Sequence, residues 1–176
     1  MHVSHQISQH GPATLISLEP WEWIPNSTLP VVLYREAFTA PDSGRLTDQV
    51  KKRLHTAGWG NQWIAGIYPY PHYHSNTHEV LVILEGHCTV ELGGPEGHPV
   101  EVNAGDVLLL PAGTGHACYT KSSYRVLGAY PGGRSWDLIT DAAEHRPPDD
   151  LPMPQHDPIG ERGVMRKVWQ RPVHSG

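Results

Sequence analysis

His72 to Gly86 reads HYHSNTHEVLVILEG, with three histidines and a glutamate in its first eight positions and an apolar run behind them. In extended backbone alternate side chains share a face, so His72 and His74 point one way and Tyr73 the other. Two imidazoles so spaced can reach one ion. Glu79 follows the short SNTH link and opens the next strand, where a hairpin can return its carboxylate beside the pair. Its same-face successors Leu81 and Ile83 are apolar, which marks that face as the interior. His116, in GDVLLLPAGTGH, is a fourth candidate, because antiparallel strands bring remote residues together.

Around this stretch the chain reads as mainly β. It has 176 residues, room for one core, with 17 Pro, 18 Gly and only 18% charged residues. Strand-like runs are expected near 30–38, 63–74, 79–85, 87–92, 98–102, 106–110, 115–120 and 124–130, separated by Gly- and Pro-containing turns. Leu46, Val50 and Leu54, spaced i, i+4, i+8 and followed by Gly58, predict one short amphipathic helix near 45–57. Residues 1–16 lack periodicity and read as a flexible N-terminal arm. Residues 17–133 read as a single domain, and 134–176 as a Pro-rich extension packing on the domain or a partner, with VMRKVW able to pack as a strand.

A formal charge of −5 leaves no electrostatic footprint for nucleic acid, and no apolar run is long enough to span a bilayer. The start has neither a basic nor a long apolar segment of the secretory kind, so the expected compartment is cytoplasmic. Two cysteines, Cys88 and Cys118, are too few for a disulfide framework and suit that compartment. Histidine is the unusual component: there are 13, as many as Lys and Arg together.

With these residues in view the sequence resembles the cupins. Their first motif, G, five residues, HxH, three or four residues, E, six residues, G, is matched by Gly66, His72, His74, Glu79 and Gly86. Their second, G, five residues, PxG, two residues, H, three residues, N, is matched by Gly105, Pro111, Gly113 and His116. Thr120 stands where the family usually has Asn, a position that bears on a hydrogen bond in the barrel wall. The wording HYHSNTHEVL and PAGTGH is similar to a branch of bacterial single-domain cupins. The resemblance implies an all-β jelly roll, the double-stranded β-helix, with one short helix and extended terminal arms. It also implies His72, His74, Glu79 and His116 as metal ligands and a homodimer joined through sheet edges or terminal arms.

Three imidazoles and one carboxylate suit Fe, Mn, Ni, Zn or Cu as a divalent ion, Fe or Mn first, rather than Ca²⁺ or Mg²⁺. The expected function is a metal-dependent enzyme of oxygenase type acting on a small polar molecule. A sugar or keto-acid isomerase or epimerase, and a non-enzymatic ligand-binding or sensing module, are the alternatives. Tyr68 and Tyr70 share parity with His72 and are candidate pocket residues, Tyr70 also a catalytic acid and Glu79 a base. Cys118 should share the face of His116 and line the pocket. His78 falls out of phase with Glu79 and reads as a support to the ligands or a surface residue. Trp63 reads as packing, and neither Tyr130 nor Arg125 can be oriented, because both faces of their strand are partly apolar.

Overall fold

VLVILE is buried on both faces, and this decides where everything else goes. In the computed structural model, which describes residues 3–142 and 146–170, Glu79–Glu85 is the strand β5 at the heart of a seven-stranded antiparallel sheet. His2 and the end of the C-terminal extension lie outside the described residues.

The preceding elements are β1 (His5–His10), β2 (Ala13–Leu18), β3 (Val31–Tyr34), α1 (Ser43–Thr56) and β4 (Trp59–Ala65). After β5 come β6 (His87–Leu92), β7 (His98–Asn103), β8 (Val107–Leu110), β9 (His116–Cys118), β10 (Arg125–Pro131) and a short helix, α2 (Met165–Val168). The large sheet runs β1-β2-β3-β8-β5-β10-β4, and a smaller one runs β7-β6-β9. Leu81 and Ile83 of β5 meet Cys88, Val90 and Val102 of the small sheet in the core between the two sheets. Val80, Val82 and Leu84 point the other way, into a second core closed by α1 and the C-terminal segment. This is the jelly-roll arrangement, all-β apart from its short helices.

Helix α1 forms because its apolar residues fall on one stripe and its start is capped. The Asp42 carboxylate accepts from the Arg45 N–H at 2.8 Å, and Gly58 takes the left-handed φ of +82° just past the end. Leu46, Val50 and Leu54 are buried against the sheet, each contributing about 1.5–3 kcal/mol relative to exposure.

Three expectations are corrected. The stretch expected as a loose arm contains a β-hairpin, β1 paired with β2 from His5↔Leu18 to His10↔Ala13. All six residues of β1 are exposed, so no burial alternation marks it in the sequence. The strand expected from 63 spans Trp59–Ala65 instead, and residues 66–74 are irregular apart from isolated bridges at His72 and Tyr73. VMRKVW forms no strand: Met165 and Trp169, four apart, are both buried against the outer face of the sheet, and the Trp169 indole donates to the Pro30 carbonyl at 2.7 Å.

Candidate metal centre

His72 and His116 bridge each other as a short antiparallel pair, His72 N–H to His116 O at 3.2 Å and His116 N–H to His72 O at 2.9 Å. That pairing sets their rings 4.1 Å apart. His74 lies 5.6 Å from each, so the ligand-capable nitrogens of all three histidines lie within 4.8 Å of one another. Tyr73 points away, into a small cluster with Ile24 and Ile139. Glu79 enters from the start of β5, with Oε2 3.4 Å from His74 Nε2 and Oε1 3.2 Å from His116 Nε2. All four side chains are at least 95% buried.

Each ring has its Nδ1 against a backbone carbonyl. His72 Nδ1 donates to Tyr70 O at 3.0 Å, His116 Nδ1 to Thr114 O at 2.9 Å, and His74 Nδ1 to Asp137 O. A carbonyl can only accept, so these contacts put a proton on Nδ1 and leave Nε2 as each ring's nitrogen available to an ion. The third carbonyl is itself held in place. Asp137 takes the Ser75 N–H on Oδ1 at 2.7 Å and the Ser75 hydroxyl on Oδ2, and its own N–H donates to Asn76 Oδ1 at 3.1 Å.

Burial, then the neighbouring His116, holds the His72 imidazole far below its ordinary value, at about 3. Burial also opposes charge on His74, but the adjacent Glu79 carboxylate outweighs it and the net shift is upward. For Glu79 burial would raise the pKa, yet the two imidazoles beside it hold the carboxyl well below the usual carboxylate range. The carboxylate is therefore ionised. Its Oε2 accepts the Tyr130 hydroxyl at 2.6 Å, while Oε1 is buried with no hydrogen-bond partner among the described residues.

An unpartnered buried carboxylate oxygen costs about 1–3 kcal/mol or more. Facing imidazoles whose Nδ1 atoms are already engaged, it has the chemistry of a ligand set: three nitrogen donors and one oxygen donor for a borderline divalent ion. The residues present fit such an ion.

Tyr130 sits where it does because β10 pairs with β5 in the register Gly128↔Leu81 and Ala129↔Val80, which carries Tyr130 up to Glu79. Tyr130 shares the inward face of β10 with Gly128, and the pairing with β4 shifts register between the two. Gly128 is required here: a Cβ would lie 2.3 Å from the indole of Trp63. Trp63 fills that space and donates from Nε1 to the Tyr130 hydroxyl at 2.8 Å. Burial and then the Glu79 charge push the Tyr130 phenol upward, so it stays protonated and donates.

The four candidate ligands open onto a cavity of about 230 Å³, walled by Trp63, Ile67, Tyr68, Leu81, Tyr130 and Trp136. Of the other predicted pocket residues, Tyr68 lines it and two do not. Tyr70 stacks on Tyr68 from outside at 5.2 Å and serves the site through its carbonyl. Cys118, one rung below His116, is buried against Cys88 in the inter-sheet core. There the contact with the Cys118 sulfur, and then burial, push the Cys88 thiol up. His78 is buried, not a surface residue: its Nδ1 accepts the Ala112 N–H at 2.9 Å and its ring lies 4.9 Å from Trp169, which steadies the turn leading to His116. Thr120 does make a wall hydrogen bond, its hydroxyl accepting the Thr89 N–H at 3.0 Å.

The sequence reading missed Tyr130, Trp136 and Asp137 and took Trp63 for packing. The only signal for Tyr130 is the pairing of β10 with β5. Trp136 and Asp137 sit in an irregular loop that carries no periodic signal.

A fold with an inward-facing HxH, Glu and His set at one end of a jelly roll is that of a cupin. The cupin domain family model matches residues 65–127, and the uncharacterized protein YjlB of Bacillus subtilis (strain 168) is 37% identical over 154 residues, 83% of this chain and 90% of that one. The chain belongs to the cupin superfamily. Among solved structures it is similar to the acireductone dioxygenase from Bacillus anthracis with cadmium ion in active center, at 15% identity over 54% of this chain and 59% of that one, with a TM-score of 0.34. WlaRA, a TDP-fucose-3,4-ketoisomerase from Campylobacter jejuni, is 12% identical over 47% of this chain and 68% of that one, with a TM-score of 0.36.

Proposed function

We propose that this protein is a metal-dependent enzyme of oxygenase type acting on a small molecule, with one divalent transition metal held by His72, His74, Glu79 and His116. The observation that carries the reading is the buried, partnerless Oε1 of Glu79 set against three imidazoles whose Nδ1 protons are already committed. A bound transition metal would supply Lewis acidity and, as Fe(II), redox chemistry. The chain's own residues do the rest. Tyr130 keeps Oε2 of Glu79 occupied, so ligation falls to Oε1. Trp63, Tyr68, Tyr130 and Trp136 give the face where substrate would sit an aromatic wall.

Two further features belong to this reading. The exposed edge strand β1 offers a pairing surface for a homodimer, and two free buried cysteines suit a cytoplasmic setting. Among the described residues no helix is long and apolar enough to cross a membrane.

The test is elemental analysis of protein purified without a metal-affinity tag, beside the double variant His72→Ala, His116→Ala, followed by oxygen uptake with candidate substrates. Near-stoichiometric Fe, Mn, Ni, Zn or Cu that is lost in the double variant is the expected result. Full retention of metal by the variant would sink the ligand assignment, and turnover without oxygen uptake would move the protein to the isomerase class.

A further inference from the structure

We infer that the molecule this site takes is an uncharged, planar, ring-sized chelator, a hydroxy-carbonyl or ortho-dihydroxy compound, and not a dicarboxylate, phosphate ester or nucleotide sugar. The inference rests on the metal reading above. It follows from which polar groups of the cavity are still available.

Very few are. The Trp63 indole N–H is spent on Tyr130, the Tyr130 hydroxyl on Glu79, and the three Nδ1 protons on backbone carbonyls. The three Nε2 atoms and Oε1 of Glu79 are the ligand set. Among the side chains lining the cavity, what remains for a bound molecule is the Tyr68 hydroxyl, the indole of Trp136, and apolar surface from Ile67 and Leu81. Among the described residues lining the cavity there is no Lys or Arg. Three neutral imidazoles and one carboxylate around a divalent ion leave a single positive charge, enough for the one negative charge that a neutral chelator's edge gains when its hydroxyl gives up its proton to solvent on binding. A second negative charge would be buried with no partner, a penalty of several kcal/mol.

Size and shape narrow the class further. A cavity of roughly 150 Å³ accommodates benzene, so about 230 Å³ has room for one substituted ring. Trp136 lines the cavity, its ring 5.1 Å from that of His74 and 6.1 Å from that of Tyr130, stacked on the latter at 27°. A flat ring in this cavity would present its donor edge to the ligand cluster and pack its face against the aromatic lining, Trp136 included. Trp136 is thus a specificity-determining residue outside the ligand set.

The experiment loads the purified full chain with Co(II), measures metal content, and then titrates two probes, following Co(II) absorption and tryptophan fluorescence. Kojic acid and comenic acid share one hydroxypyranone chelating edge; comenic acid carries a carboxylate where kojic acid carries a hydroxymethyl group. Kojic acid is expected to bind at least tenfold more tightly than comenic acid. Trp136→Ala should weaken kojic acid at least tenfold with Co(II) content unchanged, and Trp136→Phe should restore most of the loss. Equal or tighter binding of comenic acid, or no effect of Trp136→Ala, overturns the inference while leaving the metal reading intact. Failure to take up Co(II) at all is seen before any probe is added, and it overturns the metal reading and this inference with it.

Discussion

Two buried carboxylates, each accepting a hydrogen bond from a tyrosine, lie on opposite faces of the same sheet, and they serve different ends. Asp157 sits in the outer core. Its Oδ2 accepts from the Tyr34 hydroxyl and from the Met165 N–H at 3.1 Å, and its Oδ1 accepts from the Ile159 N–H at 2.9 Å. Tyr34 in turn accepts the Val164 N–H at 2.8 Å. Every oxygen is satisfied, and burial leaves the carboxyl with a raised pKa. Glu79, equally buried, has one oxygen satisfied by Tyr130 and the other by nothing, and its pKa is driven down by imidazoles. A closed network fastens the C-terminal segment to the sheet; an open one marks a place for something to bind. Burial alone does not tell them apart, whereas an inventory of lone pairs does.

The contrast can be tested from both ends. The largest effect is expected at the open site: His74→Ala should abolish tight metal binding, read as metal content after dialysis, while circular dichroism stays that of a folded β protein. Asp157→Ala should do the reverse. It strips the acceptor from three buried donors and should lower unfolding stability by about 3 kcal/mol in urea titration, with metal content of the folded protein unchanged. Metal loss in this variant would break the distinction between the two networks. Tyr130→Phe probes the boundary, since it leaves Oε2 of Glu79 and the Trp63 N–H without partners. Metal affinity should fall about 10–100-fold, the range for a group that orients a ligand, measured by competition with a chromogenic chelator. The smallest effect belongs to Thr120→Val, which removes the acceptor of the Thr89 N–H and should cost about 1 kcal/mol in thermal or urea unfolding.

How far these features could be read in the sequence depends on whether a residue repeats a pattern. The four ligand candidates were legible because HxH, Glu and His fall at fixed offsets between turn glycines, and the apolar runs of β5 and β8 announced buried strands. The Leu46, Val50, Leu54 stripe gave the helix. Tyr130 was not legible as a site residue because β10 is buried on both faces: Leu127 and Ala129 face the outer core and Val126 the inner one, so no alternation orients the ring. Strand β1 escaped for the opposite reason, being exposed on both faces. Asp137 acts on His74 through its carbonyl, a group every residue possesses, so no side-chain motif could announce it.

That last contact has an evolutionary consequence. The loop bearing Ser135, Trp136 and Asp137 is stitched to residues 73–76 by the Tyr73 and Ile139 bridge, by Asn76 to the Ser135 carbonyl, and by Ser75 to Asp137. It lies beyond residues 65–127, where the family model matches. A lineage can therefore retune the orientation of one candidate ligand, and reshape the cavity wall beside it, by exchanging a short loop while every candidate ligand stays in place. Descendants of one ancestral site can part company in chemistry and still look identical to any search built on the ligand motif.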